Sequence, residues 1–87
     1  VQDGIIKIYP NPTNGYLNIQ YQSSRDNNID LQIFDMLGKN MLSKTEHVTR
    51  GMNIIQVNAF SFAKAMYVLK LIDQFNGNEH QAKFIKE

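Results

Sequence analysis

Apolar and polar residues alternate along much of the chain with a period of two. Leu17, Ile19 and Tyr21, for example, are separated from one another by single polar residues. This spacing places the apolar side chains on one face of a β-strand. Clusters of Asn, Gly, Asp and Ser separate such segments at roughly regular intervals. The pattern predicts an all-β domain, an immunoglobulin-like antiparallel β-sandwich of about seven strands.

A rigid corner separates the first two predicted strands. Pro10 and Pro12 fix their own φ angles, lack a backbone N–H, and disfavour helical angles at the residue before them. No helix is therefore expected across this corner. Asn14 and Gly15 follow, and we expect them to supply the positive φ of a tight turn.

The turn Asp35–Gly38 is predicted to join the third and fourth strands. Asp is favoured at the first position of a type I turn, and Gly38 can take the left-handed position after it, as in a hairpin that ends in a bulge. The fourth strand, 39–45, is expected at a sheet edge because Met41 and Leu42 interrupt its alternation. The other strands are expected near 5–9, 17–22, 29–34, 52–59, 66–72 and 79–85, with polar loops at 23–28, 46–51 and 73–78.

The segment 60–66 is open to two interpretations. It is rich in helix formers, and Phe62, Met66 and Leu69 have helical spacing, which would allow a helix over 60–72. The β-branched and aromatic residues that follow favour a turn at 61–65 and then a strand, which we prefer. That sixth strand is apolar on both faces, so it is expected to be central and covered on both sides or to lie partly against another partner.

Length and composition favour one small domain. The chain has 87 residues, no cysteine and a net charge of +1 without a basic or acidic block, so neither disulfides nor nucleic-acid binding is indicated. No apolar stretch approaches the ~20 residues of a membrane helix. Residues 1–4 are expected to be the remnant of an upstream linker, and 5–87 the domain itself.

Residues capable of catalysis or metal binding are sparse. His47 and His80 lack metal-ligand spacing, and His80 is expected on the solvent side of its strand. The segment 26–30 lacks the acidic spacing of a calcium loop. No nucleophile, phosphate loop or dinucleotide fingerprint is present, so no catalytic residue, metal or cofactor is predicted.

Five short motifs, in order, resemble the C-terminal sorting domain of type IX secretion cargo proteins. The first is Tyr-Pro-Asn-Pro followed by Gly15 and a strand. The others are an aromatic-Asp-x-x-Gly-Lys turn, a Gly-x-Asn-x-apolar strand, a Tyr-x-apolar-Lys-apolar strand and a Lys-apolar-apolar-Lys end, matched here at 34–39, 51–55, 67–71 and 83–86. The resemblance covers about residues 6–87. Two positions depart from the family pattern: Ala65 replaces the usual Gly, and Glu87 follows the basic pair.

The resemblance implies a non-catalytic address on an exported protein of the Bacteroidota. The cargo would cross the periplasm, be recognised by the type IX outer-membrane translocon, and reach the cell surface or the medium. A sortase-like cell-surface peptidase would usually remove the domain, near or before Val1, and the cargo would commonly be joined to anionic lipopolysaccharide.

We expect recognition to reside in the corner and the terminal strand, whose backbone edge a partner strand could extend. The candidate residues are Tyr9, Pro10, Asn11, Pro12, Gly15, Asp35, Gly38, Lys39, Tyr67, Lys83, Phe84, Ile85 and Lys86. For the prolines and glycines, a purely structural role is the stronger expectation. The main alternative is an accessory β-sandwich that packs beside a catalytic domain or binds carbohydrate through exposed rings such as Tyr9, Phe34 and Phe75. A small enzyme is disfavoured because no nucleophile–base pair is present.

Overall fold

The computed structural model describes residues 3–87 and contains seven antiparallel β-strands in two sheets. The three-stranded sheet has the order β1-β2-β5, and the four-stranded sheet the order β4-β3-β6-β7. The predicted immunoglobulin-like sandwich is thereby confirmed. Val1 and Gln2, in the predicted linker remnant, lie outside the described residues. The strands are β1 (Gly4–Tyr9), β2 (Tyr16–Ser23), β3 (Asn27–Asp35), β4 (Asn40–Val48), β5 (Gly51–Asn58), β6 (Ala65–Asp73) and β7 (Glu79–Lys86).

The core forms where the alternating apolar residues of the two sheets face each other. Each fully buried aliphatic or aromatic side chain contributes about 1.5–3 kcal/mol relative to an exposed one. Strand β1 joins this core through a bulge between Ile5 and Lys7, which leaves Ile6 exposed while Ile5 and Ile8 both pack against the core. The buried side chains are Leu17, Ile19, Tyr21, Ile29, Leu31, Ile33, Val48, Ile55, Val57, Tyr67, Leu69, Leu71 and Phe84.

Two of the predicted loops are shorter than expected. Ser23 belongs to β2 and Asn27 already to β3, while β4 continues to Val48. The reason is tertiary, because Val48 is buried and pairs with Asn27 across the ladder. The Asn53 side chain then fixes the tight connection by accepting from the Thr49 N–H at 3.0 Å and donating to the Thr49 carbonyl at 2.8 Å. The polar residues at these positions predicted loops, but in the structure they are paired with neighbouring strands.

The segment before β6 is a turn, so the helical alternative for 60–72 is wrong. The Tyr67 hydroxyl donates to the Ala63 carbonyl at 2.6 Å, and the Phe62 and Tyr67 rings lie 5.1 Å apart. Ala65 is the first residue of β6. It has no positive φ, and neither does any other non-glycine residue that the structure describes. Met66, the middle member of the helical stripe, points away from the core and is 39% exposed.

The strand β6 is central in its sheet, but its outer face has no covering layer within residues 3–87. Tyr67, Leu69 and Leu71 are buried on the inner face, whereas Val68 and Ile72 are only half-buried on the outer face. The expectation that this strand is covered on both faces is therefore wrong for residues 3–87. The other expectation, that its second face lies against a partner, stays a prediction. The strand β4 lies at the sheet edge as predicted, with Met41 and Leu42 both half-buried against the core.

Candidate functional site: the tail end of the sandwich

All the candidate recognition residues lie at one end of the sandwich. Strands β1, β3, β5 and β7 finish at this end, and β2, β4 and β6 begin there. The corner 10–15, the β3–β4 turn and the final strand residues 83–87 therefore come together although they are far apart in sequence. We call this end, formed by 9–16, 34–40, 58–67 and 83–87, the tail end.

The corner is attached to the outer edge of β7. The Asn11 side chain accepts from the Ile85 N–H at 2.9 Å and donates to the Lys83 carbonyl at 3.3 Å. The Thr13 N–H donates to the Ile85 carbonyl, and the Glu87 N–H donates to the Thr13 carbonyl, both at 2.8 Å. The chain thus crosses from the first sheet to the second and adds one parallel bridge to β7.

This attachment changes the expected mechanism of recognition. Strand addition requires unpaired N–H and C=O groups along an edge. Between Lys83 and Glu87 the outward-facing groups are largely taken by Asn11 and Thr13. The expectation that the last strand presents a free backbone edge is therefore wrong for this half of β7, and a partner strand would have to displace the corner.

The tail side chains divide between the two faces of the sheet. Phe84 is fully buried and stacks on Tyr67 with ring centroids 5.5 Å apart. Lys86 is 8% exposed, and its ammonium donates to the Phe62 carbonyl at 3.3 Å and to the main-chain oxygen of Glu87 at 3.2 Å. Lys83 and Ile85 alternate with them and point outward. Lys83 and Ile85 can therefore touch a partner without disturbing the core.

Gly15 has a different role from the predicted one. It does not have a positive φ, so its backbone is open to other residues. Instead, a Cβ at this position would overlap the Phe60 ring. Phe60 also meets Tyr16 edge-to-face with centroids 5.0 Å apart. Glycine is therefore required for the close approach of this ring, and the expected positive-φ turn is wrong.

The β3–β4 turn forms as predicted. Gly38 has a φ of +87°, and the register shifts between Ile33 and Phe34. The Asp35 carboxylate accepts from the Leu37 N–H at 2.9 Å and from the Lys39 N–H at 2.8 Å. Asp35 therefore holds the turn through its side chain, whereas Lys39 is exposed.

The remaining corner residues contribute shape. The peptide bonds before Pro10 and Pro12 are cis, and both rings are exposed. Tyr9 is half-buried, with its carbonyl accepting from Asn18 at 3.4 Å. Thr13 was not among the candidates, yet it is buried and its hydroxyl donates to the Tyr16 carbonyl at 2.5 Å. No signal in the sequence distinguishes this threonine from an ordinary turn residue.

Tyr21, His80 and Asp73 lie toward the opposite end of the sandwich. His80 is half-buried and meets Tyr21 with ring centroids 5.7 Å apart, so its predicted solvent-side position is wrong. Burial, followed by the charges of Asp73 and Asp3, raises the pKa of Tyr21 to about 12. Within residues 3–87 no three acidic, histidine or cysteine residues are grouped to hold a metal ion.

We expect Asn11→Ala to lower the free energy of unfolding by about 1 kcal/mol, because two hydrogen bonds to β7 are lost. The Ile85 amide should also exchange faster with solvent. Denaturant unfolding and amide exchange measure the two effects. The neighbouring Asn14→Ala is the matched control, since the exposed Asn14 side chain makes no hydrogen bond within the described part of the chain. Equal exchange at Ile85 in both variants would contradict the proposed attachment.

Comparison with known proteins identifies the fold and the family. The sandwich is similar to part of a β-glucosidase from Kluyveromyces marxianus, with a TM-score of 0.63 and 8% identity over 99% of this chain and 14% of that one. At this identity the similarity concerns the fold alone. No curated protein matches the chain, and residues 3–87 include no helix suited to crossing a membrane. A family model described as "Secretion system C-terminal sorting domain" matches residues 7–87, so the chain belongs to the family of C-terminal sorting domains of type IX secretion.

Proposed function

We propose that this domain directs its cargo through the type IX outer-membrane translocon by presenting a folded surface at its tail end, without an active site of its own. A cell-surface peptidase then removes it, and the cargo stays anchored at the surface. The family match over residues 7–87 carries the proposal, because it spans nearly the whole chain and includes the corner and the tail.

The geometry separates residues that shape the surface from residues that a translocon can touch. Tyr67, Phe84 and Lys86 are buried, and Gly15 and Asp35 hold local backbone. Their substitution would act through folding. Lys83, Ile85, Lys39 and the two prolines are exposed, so they are the proposed contact residues.

Export of a reporter fused to this chain tests the proposal in a host with type IX secretion. We expect the unmodified fusion to reach the medium or the cell surface. The double variant Lys83→Ala/Ile85→Ala should lower export at least fivefold while its thermal unfolding midpoint stays close to that of the parent, because both side chains point outward. The matched control is Lys7→Ala/Ile54→Ala, which also removes an exposed cation and an exposed apolar residue from edge strands, but in the other sheet.

Deleting residues 83–87 is a weaker experiment, since it also removes the buried Phe84. Retention of the unmodified fusion in the periplasm would contradict a sorting function. Normal export of the Lys83→Ala/Ile85→Ala variant would instead exclude the tail side chains from recognition.

The carbohydrate-binding alternative has less support. Each ring proposed to stack on sugars has a cation over its face: Lys7 at 5.3 Å from Tyr9, Arg25 at 3.6 Å from Phe75 and Lys70 at 5.4 Å from Phe34. A sugar ring would have to displace these cations from the same π-face. Binding to a glycan array together with failure of export would favour this alternative.

A further inference from the structure

The outer face of the four-stranded sheet has a continuous apolar surface next to the tail. Phe34 pairs with Val68 across the β3–β6 ladder, and Met66 pairs with Ile85 across the β6–β7 ladder. Met66 and Val68 lie two residues apart on the same strand and thus share a face. These four side chains therefore form one patch, which we call the outer patch. Met66 and Ile85 are 39% and 40% exposed, respectively.

A depression of about 350 Å³ adjoins the outer patch. Phe34, Met36, Gly38, Val68 and Lys70 line part of it. Met36 is 55% exposed, so it is free to move against a partner. Flexible methionine side chains adapt to apolar surfaces of different shape. The outer patch is thus an apolar surface with a flexible methionine, Met36, at its border.

The outer face of the other sheet does not have this continuity. Met52 and Ile54 are exposed there, but they pair with Gln22 and Gln20 on β2. Their apolar surface is bordered by amide side chains and lies on the edge strand β5 alone. The two faces are therefore chemically distinct, although each carries exposed apolar residues.

Three lysines border the outer patch, and the Asp35 carboxylate lines the same depression. Lys70 lies beside Phe34, Lys83 pairs with Val68 across the β6–β7 ladder, and Lys39 lies in the β3–β4 connection. The salt bridges among residues 3–87 are Lys44–Glu46 and Lys70–Glu79, so Lys39 and Lys83 have no carboxylate partner in the described chain. The Asp35 carboxylate accepts from two backbone N–H groups of its own turn, and Lys70 is paired with Glu79, so of the three lysines Lys39 and Lys83 are those without an ion-pair partner in residues 3–87.

From this arrangement, and resting on the proposed sorting function, we infer that the outer patch is the surface by which the domain docks on a translocon subunit whose apolar site is bordered by Asp and Glu carboxylates. The positive charges of Lys39 and Lys83 are complementary to such carboxylates, and complementary charges increase the rate of association. A second copy of this chain is disfavoured as the occupant, because two patches meeting face to face would bring the lysines together.

The experiment uses the same exported fusion with substitutions outside residues 83–87. Met66→Glu should lower export at least fivefold, since it places an acidic group in the outer patch. Met66→Leu should restore export. Ile54→Glu, on the other sheet, should leave export within twofold of the parent. The thermal unfolding midpoint of each variant must stay near that of the parent, and Phe34→Ser provides a second patch variant if Met66→Glu does not fold.

A photo-crosslinking amino acid at position 66 identifies the occupant directly, with position 54 as the control. A crosslink to a translocon subunit from position 66 but not from position 54 supports the inference. Crosslinks to a second copy of the chain or to the cargo domain overturn it, as does normal export of a folded Met66→Glu variant. Failure of the unmodified fusion to be exported would contradict the sorting function itself, which distinguishes the two outcomes.

Discussion

Replacing Phe84 by Ala is expected to lower the free energy of unfolding by about 3–5 kcal/mol. The ring is fully buried and stacks on Tyr67, so its removal leaves a cavity between two sheets that cannot collapse without moving both strands. For a domain of 87 residues, total stability is on the order of 4–13 kcal/mol, so this single change removes a large share of it. Denaturant unfolding followed by circular dichroism measures the loss.

The neighbouring residue provides the control for this prediction. Ile85 is 40% exposed and lies on the opposite face of β7, so Ile85→Ala should change stability by no more than about 0.5 kcal/mol. If both substitutions cost the same, the assignment of inward and outward faces to the tail is incorrect. Combined with the export assay, the pair separates loss of folding from loss of recognition: Phe84→Ala acts through the amount of folded protein, and Ile85→Ala through contact.

Raising the pH from about 10 to 12 is expected to destabilise the protein through Tyr21. Its pKa is raised from 10.0 to about 12 by burial first, and then by the Asp73 and Asp3 charges. In this window the unfolded chain has released the proton that the folded protein still holds. Stability is therefore intact below pH 10 and falls as the pH approaches the folded pKa. Two pH units correspond to at most about 2.7 kcal/mol, and solvent screening lowers the expected loss to about 2 kcal/mol.

Tyr21→Phe tests this prediction because it removes the ionisable hydroxyl and keeps the ring. The hydroxyl has no hydrogen-bond partner among residues 3–87, so the variant should be at least as stable as the parent at neutral pH. Denaturant unfolding at pH 8 and at several values up to 12 should show a shallower decline for the variant. Parallel declines in the two proteins would mean that Tyr21 does not govern alkaline unfolding.

The local pattern of the chain determined which segments are strands and which residues they bury. Alternation of apolar and polar residues is a local property, and the faces of β2 and β3 follow from it directly. The Asp35–Gly38 turn is similarly local, because one carboxylate and one left-handed glycine close it. Five motifs in order also identified the family before any contact was known.

Strand ends and the role of Gly15 depended on contacts between distant residues. Ser23 and Asn27 are polar, yet pairing with β5 and β4 extends both strands into the predicted loop. Gly15 suits a positive-φ turn by local criteria, but the ring of Phe60, 45 positions later, fixes its actual role. The helix predicted as an alternative over 60–72 failed for the same reason, since Tyr67 and Leu69 are placed by their neighbours in the sheet.

The pattern of apolar positions and the order of five short motifs are thus sufficient to predict an all-β domain of the sorting family, because strand periodicity and short motifs are encoded by near neighbours. The hydrogen bonds of Asn11 and Thr13 to the edge of the last strand depend instead on how the two sheets are packed. The tertiary structure also decided that Lys83 and Ile85, rather than Phe84 and Lys86, are available to a partner. Edge pairing between residues more than 70 positions apart is set by how two sheets stack, and no local pattern in the chain encodes it.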